Sequence, residues 1–238
     1  MQSLLRLAFP PTCLSCDEMV DSSFGLCGLC WRDTPFVTGL TCDACGVPLP
    51  GEKTDQPVHC DDCIAIARPW TRGRSALIYK GNARRMVLAL KHGDRLDLAR
   101  PLSAWMAGVG TELLFEDTVL VPVPAHSLRL IKRRYNQAAV LANALSKHLA
   151  RNTIPDLLTR TRQTKLQDGM SRDERFANLA DAIRPAKHAA LKLAGRPVLL
   201  VDDVMTSGAT LAVAAEACRA IGSRRVDILT LARVAKDA

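Results

Sequence analysis

Eight of the nine cysteines in the 238-residue chain have the spacing of metal ligands. They form four pairs, and in each pair two residues separate the thiols. A pair of this kind makes a tight turn that directs both sulfur atoms toward one point, and two such turns complete a tetrahedral thiolate site for Zn²⁺. The eight residues are Cys13, Cys16, Cys27, Cys30, Cys42, Cys45, Cys60 and Cys63. The spacing therefore predicts two structural zinc ions.

The spacing leaves open how the four turns combine. Consecutive turns would enclose loops of 10 residues (17–26) and 14 residues (46–59), as in successive zinc ribbons, but a crossed pairing also fits. His59 adjoins Cys60 and is an alternative ligand. Disulfides, redox-active pairs and an iron–sulfur cluster are competing interpretations. We expect reduced thiols, because the first ten residues lack the features of a secretory signal.

Charge divides the chain near residue 70. Residues 1–70 contain 4 Lys and Arg against 9 Asp and Glu, a formal charge of −5, whereas residues 71–238 contain 28 against 15, a charge of +13. A basic surface of this size attracts polyanions or phosphorylated small molecules. No apolar run approaches the roughly 20 residues that cross a bilayer. We therefore expect a cytoplasmic protein with a domain boundary after residue 70.

A second cluster of functional side chains lies at residues 198–211, in the segment VLLVDDVMTSGATL. The apolar run is typical of a buried strand, and Asp202 and Asp203 come at its carboxyl end, directly before a helix. The start of a helix offers unpaired N–H groups and the positive end of its dipole to an anion. Adjacent carboxylates can accept hydrogen bonds from vicinal hydroxyls. The segment therefore predicts a sugar-phosphate site made by both aspartates with Thr206, Ser207, Gly208, Ala209 and Thr210.

Other nucleotide-binding and hydrolase motifs are absent from the sequence. No glycine is followed by lysine, as a Walker A motif requires, and Gly108 with Gly110 lacks the third glycine of a dinucleotide fingerprint. The sequence also has no Gly-x-Ser-x-Gly segment. The alternative interpretation is structural: the two aspartates form a turn, and the hydroxyl residues after them only cap a helix.

Apolar periodicity predicts alternating strands and helices after residue 70, which is typical of a parallel sheet flanked by helices. Strands are expected at residues 75–80, 118–124, 179–184, 196–203 and 225–234, and helices at 84–91, 96–108, 136–151 and 208–221. The last two strands and the helix between them form a β-α-β unit, which implies parallel strands. The polar, basic residues 159–175 are expected to form a mobile loop, and Cys218 to be a buried core residue.

The segment VLLVDDVMTSGAT resembles the phosphoribosyl pyrophosphate (PRPP) motif of type I phosphoribosyltransferases, and almost the full chain resembles the ComF family of bacterial competence proteins. In RRYNQ, Arg134 stands where the family often has glycine, a departure that bears on the flexibility of the loop. The resemblance is carried by the CxxC pairs, Tyr79 with Gly81, Lys91, VPVP at residues 121–124, the region 129–138 that contains RRYNQ, residues 160–167, Arg175 with Asn178, and the PRPP motif.

The resemblance implies a double zinc ribbon at residues 1–70 and a type I phosphoribosyltransferase domain at residues 71–238. This second domain would be similar to that of amidophosphoribosyltransferases, an α/β fold with a mostly parallel sheet flanked by helices. Asp202 and Asp203 would be catalytic and hold the ribose 2′ and 3′ hydroxyls, residues 206–210 would hold the 5′-phosphate, and Mg²⁺ would arrive with PRPP. Contacts to PRPP or its acceptor are also implied for Lys91, Val123, Pro124, Arg133, Arg134, Asn136, Arg160 and Gln167.

Three functions are compatible with this pattern. The first is transfer of phosphoribose from PRPP to an unidentified acceptor, with release of pyrophosphate, in a protein linked to DNA uptake. The second is a single-stranded DNA-binding accessory protein that uses the zinc ribbons and the basic surface. The third is a sensor that binds PRPP without catalysis and reports to a protein partner such as a competence helicase.

Overall fold

The computed structural model describes residues 10–92, 95–125, 134–161 and 182–235. The strands are β1 (Gly73–Ile78), β2 (Val119–Pro122), β3 (Leu158–Arg160), β4 (Ile183–Pro185), β5 (Val198–Met205) and β6 (Val226–Arg233). The helices are α1 (Gly28–Asp33), α2 (Asp61–Ala65), α3 (Gly81–His92), α4 (Ala99–Gly110), α5 (Gln137–Leu149), α6 (Ala189–Leu193) and α7 (Ala209–Ala220). Two 3₁₀ turns, Leu96–Leu98 and Thr111–Leu113, flank α4.

The main sheet is parallel and has the order β1–β6–β5–β2, so β5 and β6 occupy its centre. Both faces of β5 are buried, which suits its continuous apolar run. Leu200 belongs to the core cluster that contains Leu211 of α7, whereas Leu199 belongs to the cluster that contains Leu141 of α5. Helices therefore cover both faces of the sheet. The predicted fold class, an α/β domain with a mostly parallel sheet, is confirmed.

The predicted strands and helices have counterparts among the described residues, with bounds that differ by a few residues, as for β1, expected at 75–80 and found at Gly73–Ile78. Strand β5 continues to Met205, because its pairing with β6 extends as far as Arg233. Asp202 and Asp203, which the prediction placed at the last two positions of the strand, are therefore followed by two further strand residues. Leu158–Arg160 pairs with Ile183–Pro185 as a small antiparallel sheet, so the expected loop starts later than predicted. The rest of that loop, residues 162–175, lies outside the described residues.

The cysteine-rich segment packs on the outer edge of the sheet. The N–H of Val37 donates to the Ala76 carbonyl at 2.9 Å, and the N–H of Ile78 donates to the Pro35 carbonyl at 2.8 Å. These bonds cover the free edge of β1, which would otherwise expose unpaired backbone groups.

Cys218 is fully buried in α7, as predicted, and burial raises the pKa of its thiol to about 12. Within the described residues, no helix combines the length and apolar character that crossing a membrane requires.

The acidic and basic parts of the chain also meet through ion pairs. Asp43 accepts from Arg74 Nη2 at 2.7 Å and from Arg72 Nε at 3.1 Å. Both arginines also pair with Glu112, at the end of α4. Burial raises the pKa of Asp43, but the two guanidinium groups outweigh it and hold that pKa below its usual value. The predicted boundary after residue 70 falls next to this contact and stays a prediction.

Candidate functional site

The carboxylate pair lies at the carboxyl end of the central strand β5. Asp202 stands opposite Thr230 of β6, and the backbone N–H of Asp203 donates to Asp202 Oδ1 at 2.8 Å. Burial and the neighbouring charge of Asp203 raise the pKa of Asp202 to about 7, although Lys91 and Arg160 act in the opposite direction. Two adjacent carboxylates away from bulk water are short of positive charge. This end of the sheet is therefore suited to a ligand that brings hydroxyl donors and a cation.

Lys91 supplies one positive charge to this pair. Its Nζ lies 3.0 Å from Asp203 Oδ1, and the two side chains are 20% and 13% exposed. Lys91 is in the last turn of α3, where Tyr135 Oη donates to the Leu90 carbonyl at 2.8 Å and Gln137 Nε2 donates to the Lys91 carbonyl at 3.4 Å. These bonds satisfy carbonyl groups that the end of a helix leaves unpaired. The RRYNQ segment thus fixes the helix end that presents Lys91 to the aspartates.

Residues 206–210, which we call the phosphate loop, connect β5 to α7. Gly208 is the N-cap of α7 with φ +83°, a left-handed conformation that favours glycine. The N–H of Ala209 makes only a long bond of 3.4 Å to Ser207 Oγ, and Thr206 is exposed. A helix start with weakly engaged N–H groups, next to hydroxyl side chains, has the geometry of an anion site. The loop follows Asp203 after two residues, so both halves of the site are contiguous in the chain.

The VPVP segment is held in place by Asn136. Its Nδ2 donates to the Val123 carbonyl at 2.9 Å, and its Oδ1 accepts from the N–H of Ala138 at 3.2 Å as the N-cap of α5. Val123 also donates its N–H to the Val201 carbonyl at 2.9 Å, and both Val123 and Pro124 are buried. Their side chains therefore shape the turn after β2 from within the core. Asn136 links this turn to the start of α5.

Arg134 has a backbone conformation that explains the family's preference for glycine at its position. Its φ is +66°, in the left-handed region that side chains with a Cβ rarely adopt. The side chain of Arg134 is exposed. Arg134 therefore places a side chain in a backbone conformation that costs less for glycine.

The structure brings some of the predicted site residues together and leaves others apart. Lys91, Asp202 and Asp203 form one charged group, to which Arg160 at the end of β3 contributes its charge. Thr206, Ser207, Gly208, Ala209 and Thr210 adjoin that group. Arg133 and Gln167 lie outside the described residues. Direct contact of any of these residues with PRPP stays a prediction.

The eight paired cysteines form two clusters of four. Within each cluster the sulfur atoms lie within 4.8 Å of one another, and the distances Cys16–Cys27 and Cys45–Cys60 are both 3.7 Å. Zn–S bonds of about 2.3 Å in a tetrahedron place sulfur atoms about 3.8 Å apart, so the donor sets fit Zn²⁺. The first cluster is Cys13, Cys16, Cys27 and Cys30, and the second is Cys42, Cys45, Cys60 and Cys63. Bound zinc would join distant turns and supply folding free energy.

The composition of these clusters decides how the cysteine turns combine and which residue is the fourth member of the second cluster. Consecutive turns combine, so the crossed pairing is wrong. Cys60 is the fourth member of the second cluster, whereas the neighbouring His59 is exposed. All nine cysteines are free thiols, so none of them forms a disulfide.

Sequence reasoning missed two arginines that hold the phosphate loop. Arg233, at the end of β6, is 4% exposed and donates Nη1 to the Thr206 carbonyl at 2.6 Å. Arg68 donates Nη1 to the Ser207 carbonyl at 2.9 Å and Nε to Cys63 Sγ at 3.4 Å. No motif marks either residue, because each acts on backbone carbonyls that are distant in sequence. The position of Arg68 five residues after a metal ligand is the one available signal.

Comparison with known families agrees with this architecture. Residues 4–64 match the family described as Double zinc ribbon domain, and residues 135–238 match the Phosphoribosyl transferase domain. The chain is therefore a double zinc ribbon protein with a phosphoribosyltransferase-like domain. It is 30% identical over 234 residues to DNA utilization protein YhgH of Escherichia coli (strain K12), covering 95% of this chain and 99% of that protein. The chain belongs to the ComF family.

Two further relatives carry competence in their names. Competence protein F of Haemophilus influenzae is 25% identical over 96% of this chain and 93% of its own length. Competence protein ComFC of Bacillus subtilis is 26% identical over 80% of this chain and 76% of its own length. Among solved structures, the chain is similar to an orotate phosphoribosyltransferase from Aeropyrum pernix, at 17% identity over 63% of this chain and 76% of that chain. The TM-score of this match is 0.31, so the match carries no argument about the chain.

Proposed function

We propose that the chain binds PRPP with Mg²⁺ and transfers its phosphoribosyl group to a nitrogen acceptor, releasing pyrophosphate. One observation carries the proposal. Strand β5 delivers two carboxylates and an anion-binding helix start in consecutive residues, at the carboxyl edge of a parallel sheet. Such an edge is where α/β folds bind ligands. Carboxylates suit the ribose hydroxyls and the phosphate loop suits the 5′-phosphate, so one sugar phosphate would engage both.

The charges around this site suit the chemistry of group transfer. A bond forms between the acceptor nitrogen and C1′, the bond from C1′ to the pyrophosphate oxygen breaks, and the acceptor proton passes to solvent. Positive charge develops on the ribose as negative charge develops on the leaving group. Asp202 and Asp203 would stabilise the first charge, whereas Lys91 and Arg160 would stabilise the second. Groups held in place before the reaction are more effective than solvent at this task.

The donor set of the site is also compatible with Mg²⁺. This ion prefers oxygen ligands, which two carboxylates, a pyrophosphate and ribose hydroxyls offer together. Burial and the charge of Asp203 raise the pKa of Asp202, so a bound cation would stabilise its ionised form. Asp202 and Asp203 would hold the ion together with the ligand, and bound Mg²⁺ would withdraw charge from the departing pyrophosphate.

Calorimetric titration tests the proposal directly. The purified chain would be titrated with PRPP and Mg²⁺, and separately with ribose 5-phosphate. We expect saturable binding that is tighter for PRPP, because only PRPP engages the pyrophosphate side of the site. The double substitution Asp202→Asn with Asp203→Asn should abolish this binding while zinc content and circular dichroism stay unchanged. Unchanged PRPP affinity in that variant would overturn the site assignment.

Detection of released pyrophosphate then distinguishes catalysis from sensing. Release of pyrophosphate that requires both PRPP and an added purine, pyrimidine or amine supports the transferase. Tight PRPP binding without turnover against a broad panel of such acceptors supports a sensor that reports PRPP to a protein partner such as a competence helicase. A phosphorylated metabolite as ligand and nine cysteines without a disulfide would suit a protein that acts in the cytoplasm.

Binding of single-stranded DNA is the second candidate function. It is favoured by the charge of +13 in residues 71–238 and by relatives named for DNA utilization and competence. Phosphate contacts release counterions, so affinity for an oligonucleotide would fall steeply as salt concentration rises. A flat response, or no binding at low salt, would count against this function. Competition by PRPP would show whether the oligonucleotide occupies the same site.

A further inference from the structure

The second cysteine cluster and the phosphate loop share one side chain, Arg68. Its Nε donates to Cys63 Sγ at 3.4 Å, and its Nη1 donates to the Ser207 carbonyl at 2.9 Å. The guanidinium lies over the ring of Trp70, 5.4 Å from the centroid. Trp70 is 3% exposed and donates Nε1 to the Ala44 carbonyl at 2.6 Å, between two cysteines of the same cluster. Arg68 is thus held by the second cluster on one side and holds the loop on the other.

The loop is pressed closely against this surface. A Cβ on Gly208 would lie 3.2 Å from Arg68 Nη1, 3.2 Å from Trp70 Cη2 and 2.7 Å from Met205 Cε. Arg233 contacts the preceding carbonyl, that of Thr206, at 2.6 Å. Two consecutive carbonyls of the loop are therefore bonded to arginine side chains.

These bonds determine the direction of the loop N–H groups. Every described peptide bond is trans, and a trans peptide directs its C=O and its N–H to opposite sides. Because Arg68 holds the Ser207 carbonyl, the N–H of Gly208 points away from Arg68. Because Arg233 holds the Thr206 carbonyl, the N–H of Ser207 points away from Arg233. The two arginines thereby orient the donors that an anion would need.

A zinc ion in the second cluster would act on Arg68 through charge, because the guanidinium donates to Cys63 Sγ. Zn²⁺ with four thiolates carries a net charge of about −2, which attracts a guanidinium that donates to one of the sulfur atoms. Without the metal, the turns that carry the four cysteines of this cluster would no longer be joined. Arg68 would then lose its charged partner, and the loop would lose the contact that orients Gly208.

We propose that Arg68 is a positioning residue that couples zinc in the second cluster to ligand affinity at the phosphate loop. The coupling rests on the proposed PRPP site. The first cluster is a natural comparison, because it contacts a different element: Asn82 Nδ2, at the start of α3, donates to the Cys30 carbonyl at 3.2 Å. Nine residues of helix, about 13 Å, separate Asn82 from Lys91 at the other end.

Arg68→Gln, with Arg32→Gln as the matched control, tests the coupling in the full zinc-loaded chain. Arg32 also lies near a metal cluster, but its side chain is 72% exposed and pairs with Asp33. We expect Arg68→Gln to weaken binding of PRPP with Mg²⁺ at least tenfold while both zinc ions and the melting temperature are retained. Arg68→Lys should recover part of the affinity, and Arg32→Gln should bind like the wild type.

A spectroscopic measurement separates this role from a purely structural one. In the chain loaded with Co²⁺ in place of zinc, PRPP should shift the thiolate-to-metal charge-transfer band of one cluster, and Arg68→Gln should abolish the shift. Coupling is reciprocal, so PRPP should also raise the zinc affinity of one of the two clusters, measured by equilibrium competition with a chelator, by the factor by which zinc strengthens PRPP binding. The wild-type chain alone suffices for this measurement if Arg68→Gln does not fold.

The outcomes distinguish the two proposals. Wild-type chain that fails to bind PRPP overturns the proposed function and the coupling with it. Wild-type chain that binds PRPP, with equal affinity in Arg68→Gln and no effect of PRPP on either metal, overturns the coupling alone. An equal effect of PRPP on zinc binding at both clusters would also contradict the coupling, because the first cluster has no bond to the phosphate loop among the described residues.

Discussion

Lys91 Nζ lies 3.0 Å from Asp203 Oδ1, so the end of one helix compensates the charge of a carboxylate on the central strand. Lysine in the last turn of a helix also interacts favourably with the helix dipole. We expect the same ammonium group to be available to a pyrophosphate that binds beside Asp203. The ion pair therefore prepares the site electrostatically before any ligand arrives.

Replacing Lys91 should weaken ligand binding. Lys91→Met keeps the length of the side chain but removes its charge, and we expect a loss of PRPP affinity of about tenfold to a hundredfold, as for a charged hydrogen bond. Affinity for ribose 5-phosphate should change less, since it lacks the pyrophosphate. Calorimetry measures both values. Lys147→Met, at an exposed position in the last turn of α5, is the control and should bind like the wild type.

The raised pKa of Asp202 predicts an unusual pH dependence of the free energy of unfolding. Its pKa of about 7 in the folded chain exceeds the ordinary value of 3.8, so the folded state binds more protons than the unfolded state between about pH 4 and pH 7. The contribution of this carboxyl to stability therefore falls as the pH rises through that window. Asp202→Asn is neutral throughout. Its free energy of unfolding, relative to the wild type, should rise by about 2 kcal/mol from pH 5 to pH 8.

Chemical denaturation at the two pH values measures this difference. Asp156→Asn is the matched control, because Lys192 lowers the pKa of Asp156 and leaves it ionised at both pH values. Its difference from the wild type should be the same at pH 5 and pH 8. A constant difference for Asp202→Asn would contradict the raised pKa of Asp202.

Gly208→Ala should damage the phosphate loop. Alanine at φ +83° costs about 1 to 2 kcal/mol, and its Cβ would approach Arg68 and Trp70. We expect lower stability and weaker PRPP binding, measured by denaturation and calorimetry. Gly108→Ala, within α4 and in open space, should instead stabilise the chain by about 0.5 to 1 kcal/mol. Equal effects of the two substitutions would show that the loop is not constrained as described.

The left-handed backbone conformation at position 134 predicts the relative stability of the chain with arginine, glycine or valine there. Glycine adopts φ +66° without steric cost, although it loses more entropy on folding, whereas a β-branched residue is strongly disfavoured there. Arg134→Gly should therefore be close to the wild type in stability, and Arg134→Val should be about 1 to 2 kcal/mol less stable than Arg134→Gly. Denaturant unfolding ranks the variants. Arg134→Val as stable as Arg134→Gly would exclude a left-handed turn at this position.

Local features of this protein were predictable from sequence. The cysteine turns, the carboxylate pair and the phosphate loop each lie within a few consecutive residues, so backbone geometry alone brings their functional atoms together. The β5–α7–β6 unit was also predictable, because a strand, a helix and a strand in succession form a right-handed crossover. The continuation of β5 to Met205 was not predictable from sequence, because it depends on backbone pairing with β6.

Contacts between distant residues were decided by the tertiary structure alone. Arg68 and Ser207 are 139 residues apart, and nothing in either segment indicates the other. The sequence indicated that Lys91 could contact PRPP. Its ion pair with Asp203 could not be predicted, because it depends on the packing of α3 on the sheet. The pairing of consecutive cysteine turns likewise depends on how the ribbons fold in space. Residue type and spacing therefore determined which functional groups the chain carries. Strand order and packing determined which charges and cysteine clusters lie next to those groups, because such contacts depend on distances that spacing does not encode.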